Sequence, residues 1–222
     1  MTSTLEALEA QVKSLANEVR TLKDIESIRN LQKAYGYYLE HWMSQEIIDL
    51  FSDGPRVSLT LGAGTYSGKE GVKRYFNNVK PTHEFLHQIM QMADIIEIAP
   101  SGDTAFGRWY GFGATALPSD AGVRQSFFSG IYSCDYIKED GVWKFETLRF
   151  DEFYNATPKD GCVKPERLAP HDPNAKSKCI PDIPRTIQSR YPAGYIVPFH
   201  FKHPVTVKVT TEGARNASLK KG

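Results

Sequence analysis

The chain has 222 residues, 41% hydrophobic and 12% aromatic, which is enough for one substantial core and short for two. Lysine and arginine number 27 against 26 acidic residues, and a net charge of +1 gives no basic field for nucleic acid or an anionic membrane. No apolar run approaches the roughly 20 residues of a membrane span, and none near Met1 reads as a secretory leader, so the expectation is a cytoplasmic protein whose substrate is not a polyanion.

From the N-terminus, Leu5, Leu8, Val12, Leu15, Val19 and Leu22 recur at alternating spacings of three and four, a heptad seam across about three heptads. Glu26 takes the next seam position and breaks it. Residues 1–24 therefore read as an oligomerisation helix, expected to tie the chain into a homotrimer, and residues 25–154 as the globular unit. The helical pattern continues through Leu31, Tyr35, Tyr38 and Leu39, and a second stretch carries Ile47, Ile48, Leu50 and Phe51 up to the stop Asp53-Gly54-Pro55. Residues 57–61 alternate as a strand, 62–68 turn, and 69–78 resume a helix with Val72, Tyr75 and Phe76 inward.

After Pro81, four strand-like runs follow at 87–98, 104–116, 125–137 and 142–153, separated by the turn-forming segments 100–103, 117–122 and 138–141. Helices, a strand, a helix and then antiparallel strands specify an α+β domain whose sheet curls around helices. Beyond Tyr154 the composition shifts, with nine of the thirteen prolines between Pro158 and Pro204, interleaved with Tyr191, Tyr195, Phe199 and Phe201. Residues 155–222 thus read as an aromatic arm, too apolar for simple disorder, ending in a polar tail.

Cys134, Cys162 and Cys179 contain no CxxC pair and read as idle thiols. No Gly-rich phosphate loop interrupts the strands, and no cofactor is expected. His83-Glu84-Phe85-Leu86-His87 spells the HExxH zinc signature, but that chemistry requires a continuous helix, and Pro81 upstream with the strand-like residues 89–98 downstream oppose one. No metal is expected.

The groups able to hold or move a proton are Tyr35 and Glu40 on the first helix, His87 at the head of a strand and Arg149 in the last strand. His87 has the near-neutral pKa of a residue that gives and takes protons. Arg149 has two open readings, an oxyanion-stabilising charge or an ion-pair partner of Asp151 or Glu152. Trp109, Tyr110, Phe128 and Tyr38 are expected to line a pocket for a flat aromatic ligand.

Several motifs follow one another along the chain: Tyr35-Gly36-Tyr37-Tyr38-Leu39-Glu40, then Ile47-Ile48-Asp49-Leu50-Phe51, and Tyr66-Ser67-Gly68-Lys69-Glu70-Gly71-Val72 leading to Tyr75-Phe76. They continue with His87, the turn Gly102-Asp103-Thr104-Ala105, and Asp140-Gly141-Val142-Trp143-Lys144-Phe145. In these motifs and their order, residues 24–153 resemble the SnoaL-like branch of the NTF2-like superfamily. The resemblance implies a cone of curved sheet over helices with a polar-based apolar pocket, as in scytalone dehydratase, bile-acid 7α-dehydratase, a dehydrochlorinase, polyketide cyclases and a lyase that deformylates lignin-derived diarylpropanes. It further implies a Glu40/His87 dyad with Tyr35 and Arg149 beside it, although the family usually has aspartate where Glu40 stands. The activity so implied is a cofactor-independent lyase on a hydrophobic aromatic molecule, with diarylpropane deformylation foremost. The alternatives are a dehydratase or isomerase of a steroid or polyketide, and a non-catalytic binding module.

Overall fold

A computed structural model describes residues 2–78, 85–119, 122–158, 179–184, 200 and 209. The first element is one helix, α1 (Thr2–Glu40), which has no proline to break it. Its two halves behave differently. Residues 4–23 are exposed throughout, whereas Asp24, Ile28, Leu31, Gln32, Tyr35 and Leu39 are buried against the sheet.

Asp24 makes the joint. Its Oδ1 accepts from Lys138 Nζ at 2.6 Å and from Trp143 Nε1 at 2.9 Å. Burial alone would raise the carboxyl pKa, but those two donors outweigh it and hold Asp24 below the usual carboxylate range. Farther along the helix, Arg29 Nε donates to Asp94 at 2.8 Å.

Helices α2 (Ser44–Asp49) and α3 (Gly68–Phe76) close one end of the domain. The strands are β1 (Ser58–Leu61), β2 (Gly64–Ser67), β3 (Leu86–Ile98), β4 (Thr104–Ser119), β5 (Gly122–Glu139), β6 (Val142–Ala156) and β7 (Ile183–Pro184), in the sheet order β3-β4-β5-β6-β1-β2-β7. Long antiparallel strands build the curved wall, and register shifts between Met92 and Ile95, Ser129 and Gly130, and Asp135 and Tyr136 interrupt their alternation and bend it. Buried aromatic and aliphatic side chains fill the space between this wall and α1.

The sequence reading and the structure differ at the short strands. The segment 62–68, expected as a turn, contains β2, and β1, for which the sequence reading named no partner, runs parallel to β6. Part of the proline-rich arm docks, with β7 pairing with β2, Asp182 accepting from Ser67 N and from Arg74, and buried Cys179 beside Tyr66. The remaining arm aromatics, Cys162, and His83 and Glu84 of the HExxH string lie outside the described residues. His87 stands in β3 and not on a helix. No described helix is long and apolar enough to cross a membrane.

Candidate active site

One cavity of about 180 Å³ lies between α1, α3 and the concave face of the sheet. Helical spacing supplies Tyr35 and Leu39 at i and i+4, and the turn just past the end of α1 adds Trp42. Strand alternation supplies His87 and Ile89 from β3 and Thr115 from β4. Phe128 and Tyr132 of β5, and Phe150, Glu152 and Asn155 of β6, complete that wall. Glu152 and Asn155 are three residues apart, a spacing that alternation forbids. The irregularity that pairs Ser129 with Tyr154 but Gly130 with Glu152 inserts the extra residue and returns Asn155 to the cavity face.

His87 is caged by rings. Its imidazole lies 5.3 Å from Trp42, 5.8 Å from Phe128 and 6.3 Å from Phe85, measured between centroids. Trp42 occupies an unusual backbone position. It sits just past the end of α1 with φ +49°, where glycine is usual, while Met43 N bonds Tyr38 O and Trp42 N bonds Leu39 O. The indole N–H donates to Phe76 O at 2.8 Å, so the left-handed turn holds the ring against His87 at a backbone cost of about 1–2 kcal/mol.

These surroundings tune the titratable groups. Burial pushes the His87 pKa down to about 4, so the imidazole is neutral at physiological pH. Burial pushes Glu152 the other way, above the usual glutamate range, against the opposing pull of the Asn155 hydrogen bond and of Arg124. Asn155 Nδ2 donates to Glu152 Oε2 at 3.4 Å. The tyrosine hydroxyls of Tyr35, Tyr75 and Tyr132 are all raised by burial and keep their protons. The cavity therefore combines a neutral acceptor, a carboxyl inclined to hold its proton and several neutral O–H groups, in apolar walls where charge interactions are strong.

Residues 20–149 match the SnoaL-like domain family. The chain belongs to that family. Among solved structures, hexachlorocyclohexane dehydrochlorinase LinA-type3 from Novosphingobium barchaimii LL02 is 22% identical, covering 67% of this chain and 99% of its own, with a TM-score of 0.53. The LinA type 2 dehydrochlorinase is also 22% identical, covering 63% and 91%, with a TM-score of 0.53. These likenesses establish the SnoaL-like cone in this chain.

Within that SnoaL-like cone, the sequence-derived residues fall in several places. Tyr35, His87 and Phe128 meet in the cavity. Glu40 does not join them. It lines a separate surface depression with Lys33, Tyr37 and Gln88, and Gln88 Nε2 reaches its Oε1 at 3.5 Å. Because neighbouring strand residues face opposite ways, a side chain that meets Gln88 is on the wrong side of β3 for His87. The expected Glu40/His87 dyad is therefore absent from this geometry. Arg149 also points away from the cavity and pairs with Asp151 at 2.9 Å, the second of its two open readings.

Trp109 lies in the core outside the cavity, donating to Tyr136 OH at 2.9 Å, which in turn donates to Gln32 Oε1 at 2.7 Å. Tyr110 is on the outer face, paired with Met92, and is half exposed. Tyr38 packs against the core without reaching the cavity. The sequence reading missed Trp42, Thr115, Glu152 and Asn155. A wider cleft of about 590 Å³ lies outside this cavity, but two of its charged side chains, Arg56 and Glu146, already neutralise each other at 2.8 Å.

Proposed function

We propose that this SnoaL-like protein is a cofactor-independent lyase that moves protons on a hydrophobic aromatic small molecule held in the His87 cavity. The carrying observation is that a neutral imidazole and a carboxyl of raised pKa open onto one apolar cavity. Two titratable groups whose environments displace their pKa values in opposite directions form the usual division into base and acid. His87 accepts the proton and Glu152, oriented by Asn155, donates one. Tyr35 and Tyr132 stabilise the developing oxyanion or the departing oxygen by hydrogen bonding.

Size guides the substrate. An apolar cavity of roughly 150 Å³ takes a benzene, so about 180 Å³ suits one aromatic ring, with the rest of a larger substrate extending past half-buried Leu61 and Leu117.

Within this class we favour deformylation of a diarylpropane 1,3-diol. His87 takes the proton of the terminal hydroxyl, that C–O becomes the carbonyl of formaldehyde, and the C–C bond breaks. Its electron pair forms the new C=C, and the benzylic hydroxyl leaves as water with the proton from Glu152. Stilbene, formaldehyde and water balance the diol. A dehydratase acting on a steroid or polyketide ring would use the same two groups without the C–C cleavage.

The test is a panel of aromatic 1,3-diols and benzylic alcohols, assayed for formaldehyde and ultraviolet-absorbing alkene with the wild type and His87→Ala. Turnover by the wild type that is lost in a folded His87→Ala supports the lyase. Binding of panel members without turnover by either protein would instead identify a ligand-binding module.

A further inference from the structure

Among the described residues, no element packs on the exposed half of α1. Leu5, Leu8, Val12, Leu15, Val19 and Leu22 are each about half to two-thirds exposed, although they form an unbroken apolar stripe. At about 100° of rotation per residue, this stripe lies on roughly the opposite side of the helix from Asp24, Ile28, Leu31, Tyr35 and Leu39, which bind the domain. The chain's own core therefore cannot cover it by continuing the same helix packing. The stripe also falls almost wholly before residue 20, where the match to the SnoaL-like domain begins, so it is an addition to the catalytic unit. Most helical stability in proteins comes from packing an apolar face, and this stripe is packed on nothing among the described residues.

The stripe specifies its partner. Leu5, Val12 and Val19 take the a positions of the heptad and Leu8, Leu15 and Leu22 the d positions. Valine at two of the three a positions, with leucine at every d position, favours parallel two-stranded packing. In that register, Glu18 at g faces Lys23 at the e position of the other strand, an opposite-charge pair made twice by symmetry.

We propose that residues 5–22 form a parallel two-stranded coiled coil with a second copy of this chain. The two domains then sit on opposite outer sides of the coil and do not obstruct it. The proposal replaces three strands by two on the a/d chemistry, and it is independent of the reaction proposed above.

Light scattering on full-length protein at micromolar concentration, with Leu15→Asp alongside, reads the assembly. Thermal unfolding of both proteins checks that the domain is intact. The expected result is a two-chain mass for the wild type and a one-chain mass for Leu15→Asp with an unchanged domain transition. A Val12→Cys variant should cross-link to itself on oxidation, since a parallel register sets residue 12 against residue 12, and the parent protein serves as the control for Cys134, Cys162 and Cys179. A monomeric wild type or a three-chain mass overturns the proposal. So does an oligomer that survives Leu15→Asp, which would assign association to the exposed face carrying Met90, Met92, Tyr110 and Phe112.

Discussion

Gly111→Ala tests whether the aromatic wall of the cavity is as tightly built as the structure implies. A Cβ on Gly111 would lie 2.8 Å from Cε2 of both Phe150 and Tyr132. Carbon atoms in ordinary contact sit about 3.5–4.0 Å apart, so both rings must retreat by about 1 Å. Both line the cavity, and neither can yield by flexing as an unbranched chain does. Overpacking of this kind costs about 1–3 kcal/mol, and in a chain of this size 1 kcal/mol moves Tm by about 2–4 °C. A fall of about 2–12 °C is expected, with turnover down by as much as about 100-fold if the rings move into the substrate space. Gly62→Ala is the control, since a Cβ there meets nothing within 4 Å although Gly62 lines the same cavity. Differential scanning fluorimetry and steady-state turnover read the comparison. If Gly111→Ala matches Gly62→Ala in both, the rings have slack and the inferred cavity shape is wrong.

Glu40→Gln and Arg149→Ala, both outside the cavity, should leave turnover within about twofold, and Arg149→Ala should cost stability of order 1 kcal/mol through its partly exposed ion pair; a 100-fold loss of kcat would return Glu40 to a dyad with His87, or Arg149 to an oxyanion-stabilising role, according to the variant that shows it. Asp24→Ala should destabilise by about 2–4 kcal/mol, because Lys138 and Trp143 lose a charged acceptor. Since the folded carboxyl pKa is lowered, this contribution is present above the unfolded value of about 3.9 and is lost as pH falls through the folded one. Chemical denaturation at pH 7 and pH 3 measures it, and a variant with wild-type stability at pH 7 would contradict the joint. His87 acts in another window. Between its unfolded pKa of about 6.5 and the folded value of about 4 the unfolded chain binds the extra proton, so stability rises with pH across that range. His87→Ala should remove from the pH dependence a component of order 3 kcal/mol between pH 7 and 4, and identical pH profiles of ΔG for the two proteins would show that the imidazole is not desolvated.

The long strands were legible because apolar, β-prone runs are separated by turn-forming segments near residues 100–103 and 138–141, where the structure also turns. The site was legible only in part. Tyr35 and Phe128 follow from period, but Glu40 is five positions from Tyr35, about 140° round the helix, so helical geometry separates it from the face that carries Leu39 and Trp42. Arg149 is excluded by the same kind of parity, since Phe150 takes the inward position. Glu152 keeps the parity of Phe150 but was read only as an ion-pair partner of Arg149, and Asn155 was hidden by the extra residue that breaks alternation after Glu152, a feature that no simple period encodes. Strand β2 was hidden because four residues that begin at Gly64 and run into Gly68 look like a turn until β1 and β7 are present to pair with them.

The most direct test of acid/base chemistry in this cavity is kcat for Glu152→Gln against the wild type at pH 7, on a diol that the wild type converts. Glutamine keeps the size and the Asn155 contact but cannot donate a proton to a leaving oxygen. The account predicts a fall of about 10²–10⁴ with an unchanged unfolding transition. A Glu152→Gln protein that turns over at the wild-type rate would contradict the assignment of Glu152 as the acid.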